Sequence, residues 1–326
     1  MAATSARNAW AVGSTTAGKT LVLHWNGSAW KHVPAPSPGS GGNLFGVAAT
    51  TASNAWAVGS TGADKTLILH WNGSAWKHVP APSPGSGGNL FGVAATSGSN
   101  AWAVGSTSAG KALILHWNGS AWKHVSAPSP GSSNLQGVAT TAARNAWAVG
   151  STSSGAGFKT LILHWNGTRW KRVASPSPGA SKGLAPILLG VGATSARNAW
   201  AVGDVSCGCG PGLSLILRWN GKSWKRVASP TPGGGTTLFG VAALSARNAW
   251  AVGESGSGDG PTKTMILRWN GKSWKRVASP NPAASNALTG VAATSASRAW
   301  AAGFTSTKNH SNFKTLILRW NGTRWK

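Results

Sequence analysis

Basic side chains recur in one order in two consecutive repeats: Lys222, Lys225 and Arg226, then Lys272, Lys275 and Arg276 fifty residues on. Grouped cations with no acid beside them repel one another unless an anion neutralises them, so this pattern suits the binding of polyanions. The whole chain points the same way, with 30 Lys and Arg against 4 Asp and Glu and a net charge of +26. The excess is uneven. Residues 1–135 hold seven basic residues and one acid, whereas residues 136–326 hold 23 basic residues and three acids. Nucleic acid, acidic glycans or cell-wall polymers, and anionic membrane surfaces are the partner classes that such an imbalance favours.

Tryptophan is the second chemistry-bearing residue. The 21 indoles fall in seven triplets, and the third members, Trp30, Trp76, Trp122, Trp170, Trp224 and Trp274 with Trp325 at the chain's end, each precede a lysine. The first six lie on full strand D runs. An indole beside a charged residue on an outer strand is suited to stacking on a sugar ring, so these six are the sugar-stacking candidates. The first members, Trp10, Trp56, Trp102, Trp147, Trp200, Trp250 and Trp300, read instead as core.

Other chemistries find little support. The four acids, Asp64, Asp204, Glu254 and Asp259, neither recur nor pair, which leaves acid–base catalysis by carboxylates without its residues. No Gly-x-Ser-x-Gly elbow in a strand-to-helix context is present. The chain therefore reads as a non-enzyme, with no catalytic residue and no cofactor implied. His24, His70, His116 and His164 give way to Arg218, Arg268 and Arg319 at equivalent places. A guanidinium has no acceptor lone pair, so a recurrent metal site would not survive that exchange, and no metal is expected. Cys207 and Cys209 lack the further ligands of a structural zinc site and read as two loop thiols. The Asn-x-Ser/Thr matches, such as Asn26-Gly27-Ser28, are explained by turn formation alone.

These residues are positioned by a repeat. Successive first tryptophans are 46, 46, 45, 53, 50 and 50 residues apart, a near-fixed period that implies stacked or ring-arranged units. Within the sixth repeat, residues 238–244, 248–253, 264–269 and 273–277 are short runs rich in Val, Ile, Leu or Trp, bounded by Gly, Pro, Asn or Ser, which is the pattern of strands. They are termed strands A to D. Trp-Asn-Gly recurs between C and D, predicting a two-residue hairpin turn with positive φ at both positions. Pro-x-Pro, as in Pro36-Ser37-Pro38, ends strand D because proline cannot donate to a ladder. Small residues such as Gly46, Ala48 and Ala49 suit a crowded inner strand A, and strand D is expected outermost. Four short antiparallel strands in each of seven units predict an all-β fold, a seven-bladed β-propeller, forming one domain over residues 1–326. An open solenoid would need terminal caps, and none is visible. Closure is expected by packing of the last repeat on the first.

Trp25-Asn26-Gly27-Ser28-Ala29-Trp30 resembles the Trp-Asp-Gly-x-x-Trp hairpin of fucose-binding propeller lectins. The longer sentence, Ala55 to Gly59, then Ile68 to His70, then Asn72-Gly73, resembles sialidase-type Asp-box propellers of bacteria, including those that assist photosystem assembly. The first likeness implies sugar binding between blades, and the second implies scaffolding. Asn stands where both motifs have Asp. The combined expectation is a non-catalytic binding or scaffolding propeller for anionic polymers or acidic glycans. The alternatives are a multivalent neutral-sugar lectin or a protein-interaction scaffold. A monomer is expected, and no apolar run is long enough for a transmembrane helix. Met1 stands where other repeats carry valine, so the chain is expected to begin inside a repeat. A secreted or cell-surface location is expected if a leader precedes it; otherwise the compartment is open.

Overall fold

The computed structural model describes residues 1–39, 41–85, 87–155, 157–206, 212–232, 234–256, 260–308 and 311–326. Cys207, Cys209, Asp259 and His310, singled out in the sequence, lie outside the described residues. The described chain is built of antiparallel sheets, with a single short 3-10 turn at Ala180–Lys182. The chain forms two compact units: Met1–Thr152 with Ile162–Val173, and Ser153–Leu161 with Ala174–Lys326.

The first unit holds blade I, β1 (Ala2–Ser5), β2 (Asn8–Ser14), β3 (Thr20–Trp25) and β4 (Trp30–His32). Blade II follows as β5 (Gly42–Thr51), β6 (Asn54–Thr61), β7 (Thr66–Trp71) and β8 (Trp76–His78). Blade III is β9 (Gly88–Ser97), β10 (Asn100–Thr107), β11 (Ala112–Trp117) and β12 (Trp122–His124). Most of blade IV, β13 (Ser132–Ala142), β14 (Asn145–Ser154), β15 (Gly157–Trp165) and β16 (Trp170–Arg172), belongs to this unit as well. The second unit holds blade V, β17 (Ala185–Ser195), β18 (Asn198–Ser206), β19 (Leu213–Trp219) and β20 (Trp224–Arg226). Blade VI is β21 (Gly235–Ser245), β22 (Asn248–Gly256), β23 (Lys263–Trp269) and β24 (Trp274–Arg276). Blade VII is β25 (Ser285–Ser295), β26 (Arg298–Ser306) and β27 (Lys314–Trp320), with a lone bridge from Trp320 to Trp325 where a fourth strand would pair. In every complete blade the strands lie in chain order, so the short strand D is an edge. The fold class is the expected one, a seven-bladed β-propeller.

Strand B carries the core. Its Ala-Trp-Ala-Val stretch is buried in blades II to VI, and the Leu-Ile-Leu or Met-Ile-Leu of strand C pairs with it and is buried too. The tryptophans join one blade to the next. Trp10 of blade I meets Trp71 and Trp76 of blade II, Trp56 meets Trp117 and Trp122, and Trp102 meets Trp165 and Trp170, all at 4.9–5.2 Å between ring centroids. In the second unit Trp200 meets Trp269 and Trp274, and Trp250 meets Trp320 and Trp325, at the same spacing. At these five interfaces the third indole stands edge-on to the first, at 81–90°. Such edge-to-face pairs contribute about 0.5–1.5 kcal/mol beyond area burial. The second indole is also anchored in its own blade. Trp71 Nε1 donates to Ala52 O at 3.0 Å and Trp117 Nε1 to Gly98 O at 2.9 Å, tying strand C to the A–B turn.

A bulge in strand A explains the invariant end of Ala-Val-Gly. The pairing of β5 with β6 slips between Leu44 and Gly46, and Asn43 O then sits where a side chain on Gly59 would begin, 1.8 Å from an added Cβ. Neighbouring inner strands also crowd as expected, since a Cβ on Gly46 would lie 2.9 Å from Phe91 O of the next blade.

The Trp-Asn-Gly hairpin differs from the expected two-residue turn. Trp25 pairs with Trp30, so the loop has four residues, Asn26 to Ala29. Glycine alone takes the positive φ, 99° at Gly119, while the described non-glycine residues with positive φ are Asp64 and Asn312. Asparagine acts instead through its side chain. Asn118 Oδ1 accepts from Ser120 N, Ala121 N and Ser120 Oγ at 2.9–3.0 Å, an Asx-type turn. The middle residue of Pro-x-Pro extends the strand C edge after strand D has ended. Ser83 Oγ accepts from Thr66 N, and Ser129 Oγ from Ala112 N.

Two outcomes test this account by denaturant unfolding. Trp56→Ala is expected to cost about 3–5 kcal/mol, because it empties a fully buried indole site. Asn118→Ala is expected to cost about 1 kcal/mol and Asn118→Asp close to nothing, since a carboxylate keeps the acceptor. An Asp variant as unstable as the Ala variant would contradict the acceptor role.

Candidate anion-binding interface

Side-chain direction divides the six basic candidates. All six are exposed. Lys222 and Lys272 sit in the C–D loops, where their backbone N–H groups donate to Asn220 Oδ1 and Asn270 Oδ1 at 2.9 Å. Lys225, Arg226, Lys275 and Arg276 lie on the edge strands β20 and β24. Adjacent residues of a strand point to opposite faces. Lys225 pairs with Arg218, which pairs with Trp200 in turn, so these three share the face that blade V turns to blade VI. Arg276 pairs with Leu267 on the face that also carries Trp269 and Trp274, the face blade VI turns to blade V. Lys225 and Arg276 therefore flank one interface, while Arg226 lies on the other face of blade V and Lys275 on the other face of blade VI.

The stacking candidates are corrected for five of the six tryptophans. Trp76, Trp122, Trp170, Trp224 and Trp274 are only 2–4% exposed, and a ring so enclosed offers no face to a sugar. Trp30 is half-buried. The physical reason is register. The C–D loop pairs the second and third indoles of a blade, so both turn to one face together, and in blades II, III, IV, VI and VII that face packs on the preceding blade. The first tryptophans are core, as expected, at 0–1% exposure.

The histidine–arginine exchange also has a structural meaning. His24, His70, His116 and His164 stack on the first indole of their own blade at 4.1–4.2 Å. Each Nε2 lies 2.7–2.8 Å from the Oδ1 of Asn8, Asn54, Asn100 or Asn145. Those asparagines donate from Nδ2 to Thr4, Thr50, Thr96 and Thr141, so Oδ1 is left as acceptor and the histidine donates from Nε2. Arg218 keeps the stacking, 5.0 Å over Trp200, but reaches into the next blade, 5.4 Å from Trp269, and donates from Nη2 to Ala246 O at 3.2 Å. Arg268 does the same over Trp250 and Trp320, donating to Ala296 O at 3.4 Å. Asn248, left without an imidazole, has a buried Oδ1 with no hydrogen-bond partner among the described residues.

Sequence reasoning missed the arginines of the A–B turns. Arg197 and Arg247 are exposed and pack beside the C–D turns, 3.4 Å from where a Cβ on Gly221 or Gly271 would stand. The recurrence of Ser-Ala-Arg-Asn-Ala-Trp could have flagged them. The described acids lie at the other end of their sheets: Asp64 in a B–C loop, and Asp204 and Glu254 near the B–C end of strand B. Asp204 is buried, and burial raises its pKa against the opposing hydrogen bonds from Thr237 Oγ1, at 3.0 Å, and the Gly212 backbone. It links blades V and VI and has no carboxylate beside it in sequence. A shallow cleft of about 350 Å³ in the first unit is lined by Lys111, His124 and Ser129 among others, and Lys111 Nζ is engaged by Gly131 O at 3.2 Å.

No protein-family profile and no curated protein sequence matches this chain. Solved structures do. A crystal structure of the RRP9 WD40 repeats superposes with a TM-score of 0.62 at 10% identity, covering 94% of this chain and 89% of that one. YCF48 bound to a D1 peptide gives 0.59 at 15% identity, covering 91% and 83%. A fucose-specific lectin from Aleuria aurantia gives 0.51 at 13% identity, covering 100% and 96%. At such identities the likeness is one of fold. No helix among the described residues is long and apolar enough to cross a membrane.

Burial lowers the pKa of His24, His70, His116 and His164 below the ordinary 6.5. The fold thus favours neutral imidazole, and the unfolded chain takes up protons at higher pH than the folded one. Stability is then fully present above about pH 6.5 and falls as pH drops from there toward the lowered values. Each imidazolium would also face a lysine directly opposite, Lys31, Lys77, Lys123 or Lys171. Melting temperature should therefore fall between pH 7.5 and 5, and replacing all four histidines by Gln should flatten that profile. An unchanged slope would show that the histidines do not set it.

Proposed function

We propose that this chain is a non-catalytic binding module that takes up an acidic glycan or a similar anionic polymer on blades V and VI. The observation that carries the reading is the exposed set Lys222, Lys225, Arg226, Lys272, Lys275 and Arg276, with the described acids of the same blades at the opposite end of their strands. Unopposed cations on one part of a surface raise local anion concentration and gain affinity by releasing counterions. The structural neighbours support a binding role, since one was solved with a peptide and another is a fucose-specific lectin. Burial of the indoles weighs against neutral-sugar stacking at the five enclosed tryptophans.

Replacing the six residues with Gln is expected to release the protein from heparin at clearly lower salt while leaving its far-UV CD spectrum and melting temperature unchanged. Lys31→Gln with Lys77→Gln should have far less effect. A six-fold variant retained as strongly as the parent would overturn the proposal. A glycan array read at two salt concentrations separates the classes, because anion binding fades with salt whereas sugar stacking does not. Silence at both concentrations would favour a protein scaffold.

A further inference from the structure

Two interfaces of the second unit carry a guanidinium that the blade I–II, II–III and III–IV interfaces do not. Between blades V and VI, Arg218 stands directly opposite Lys225 on one face, its guanidinium between Trp200 and Trp269. The Ala246 carbonyl that it holds belongs to the A–B turn of blade VI, and the next residue is the exposed Arg247. Between blades VI and VII the pair recurs, with Arg268 opposite Lys275 and held by Ala296 O, but the turn residue that matches Arg247 is Ser297, and Arg298, in phase with Trp300, turns away from blade VI. The sibling interfaces have His24 with Lys31 against Ser53, and His70 with Lys77 against Ser99.

Like charges directly opposite one another in a ladder destabilise a sheet, and the blade V–VI interface adds a third cation, Arg247, from the neighbouring turn. The guanidinium is pre-oriented by ring stacking and one carbonyl. The hydrogen bond to that carbonyl uses one of its five N–H donors. A planar, fixed guanidinium backed by further cations is suited to bidentate recognition of an oxyanion. Single-stranded nucleic acid would call for exposed aromatic platforms, and the indoles at these interfaces, Trp200, Trp250, Trp269 and Trp320, are buried.

Building on the proposed function, we infer that these interfaces are two equivalent oxyanion sites for the carboxylate or sulfate groups of an acidic glycan. Arg218 and Lys225 form one, with Arg247 beside it, and Arg268 and Lys275 form the other. Their repetition one blade apart lets a single polymer engage both, so that its affinity exceeds that of a short fragment.

Substitutions drawn from sibling blades test this without introducing a residue foreign to the position: Arg218→His, Arg247→Ser and Arg268→His. The Arg268→His imidazole would find the unpartnered Asn248 Oδ1. Titration calorimetry at pH 8 with a short heparin oligosaccharide is expected to give two sites in the parent, and one after Arg218→His with Arg247→Ser or after Arg268→His alone. With all three changes, affinity for full-length heparin should drop about tenfold or more, with a shallower salt dependence. Far-UV CD and melting temperature report on folding. If the three-fold variant keeps parental heparin affinity while the six-fold Gln variant loses it, this inference fails and the general reading survives. If both keep it, both fail. If the three-fold changes weaken binding of single-stranded DNA but not of heparin, the ligand class is wrong and the inference is overturned.

Discussion

Edge-to-face contact between indoles of successive blades is the constraint on which the rest of each unit depends. The first tryptophan of a blade must meet two from the next, which fixes how close the sheets come and how each is rotated. The contact sets demands on the local sequence. The four-residue C–D loop has to hold the second and third indoles opposite each other, so an asparagine oxygen gathers three donors in each Asn-Gly-Ser/Thr loop and two backbone donors in the loops of blades V and VI. The A–B turn has to offer its carbonyl to the second indole, as Ala52 does to Trp71. The arrangement also carries a cost. Trp56, Trp76, Trp102 and Trp122 have buried Nε1 groups without an acceptor among the described residues, and packing of large rings must offset that desolvation.

With the indoles held constant, variation is confined to what lies on them. Histidine in blades I to IV closes a local Thr–Asn–His chain, whereas arginine in blades V and VI abandons that chain and bonds across to the next blade. Both stack on the same ring, because a flat imidazole and a flat guanidinium each cover an indole face. The exchange changes the electrostatics far more than the packing. An imidazole that burial keeps neutral is replaced by a permanent charge, next to lysines that every complete blade carries on strand D. Part of the charge asymmetry between the two halves of the sequence thus has a place in the architecture.

Most of the strand pattern was legible in the sequence, because short apolar runs bounded by turn residues leave few alternatives. The end of strand D followed from Pro-x-Pro, and its outer position from the small residues that place strand A innermost. Two readings needed coordinates. Asn-Gly suggested a two-residue turn because both residues tolerate positive φ, yet the loop has four residues and the asparagine works through its side-chain oxygen. The third tryptophans are sugar-stacking candidates by sequence because strand D is expected outermost and a lysine follows each. That lysine does point to solvent, but alternation along the strand turns the indole the other way, into the preceding blade.

The sequence by itself determined the number of repeats, the four strands in each, the antiparallel hairpins and the excess of positive charge, since these depend on composition, period and local turn chemistry. Tertiary structure alone decided which cations share a surface. Arg218 and Arg247 are 29 residues apart in sequence and belong to different blades, and they are brought to one interface only because a guanidinium lying on Trp200 is long enough to reach the turn of the next sheet. Periodicity reports what each repeat contains. It does not report which face of one repeat meets which turn of its neighbour, because that depends on register, side-chain length and the spacing that the indoles impose.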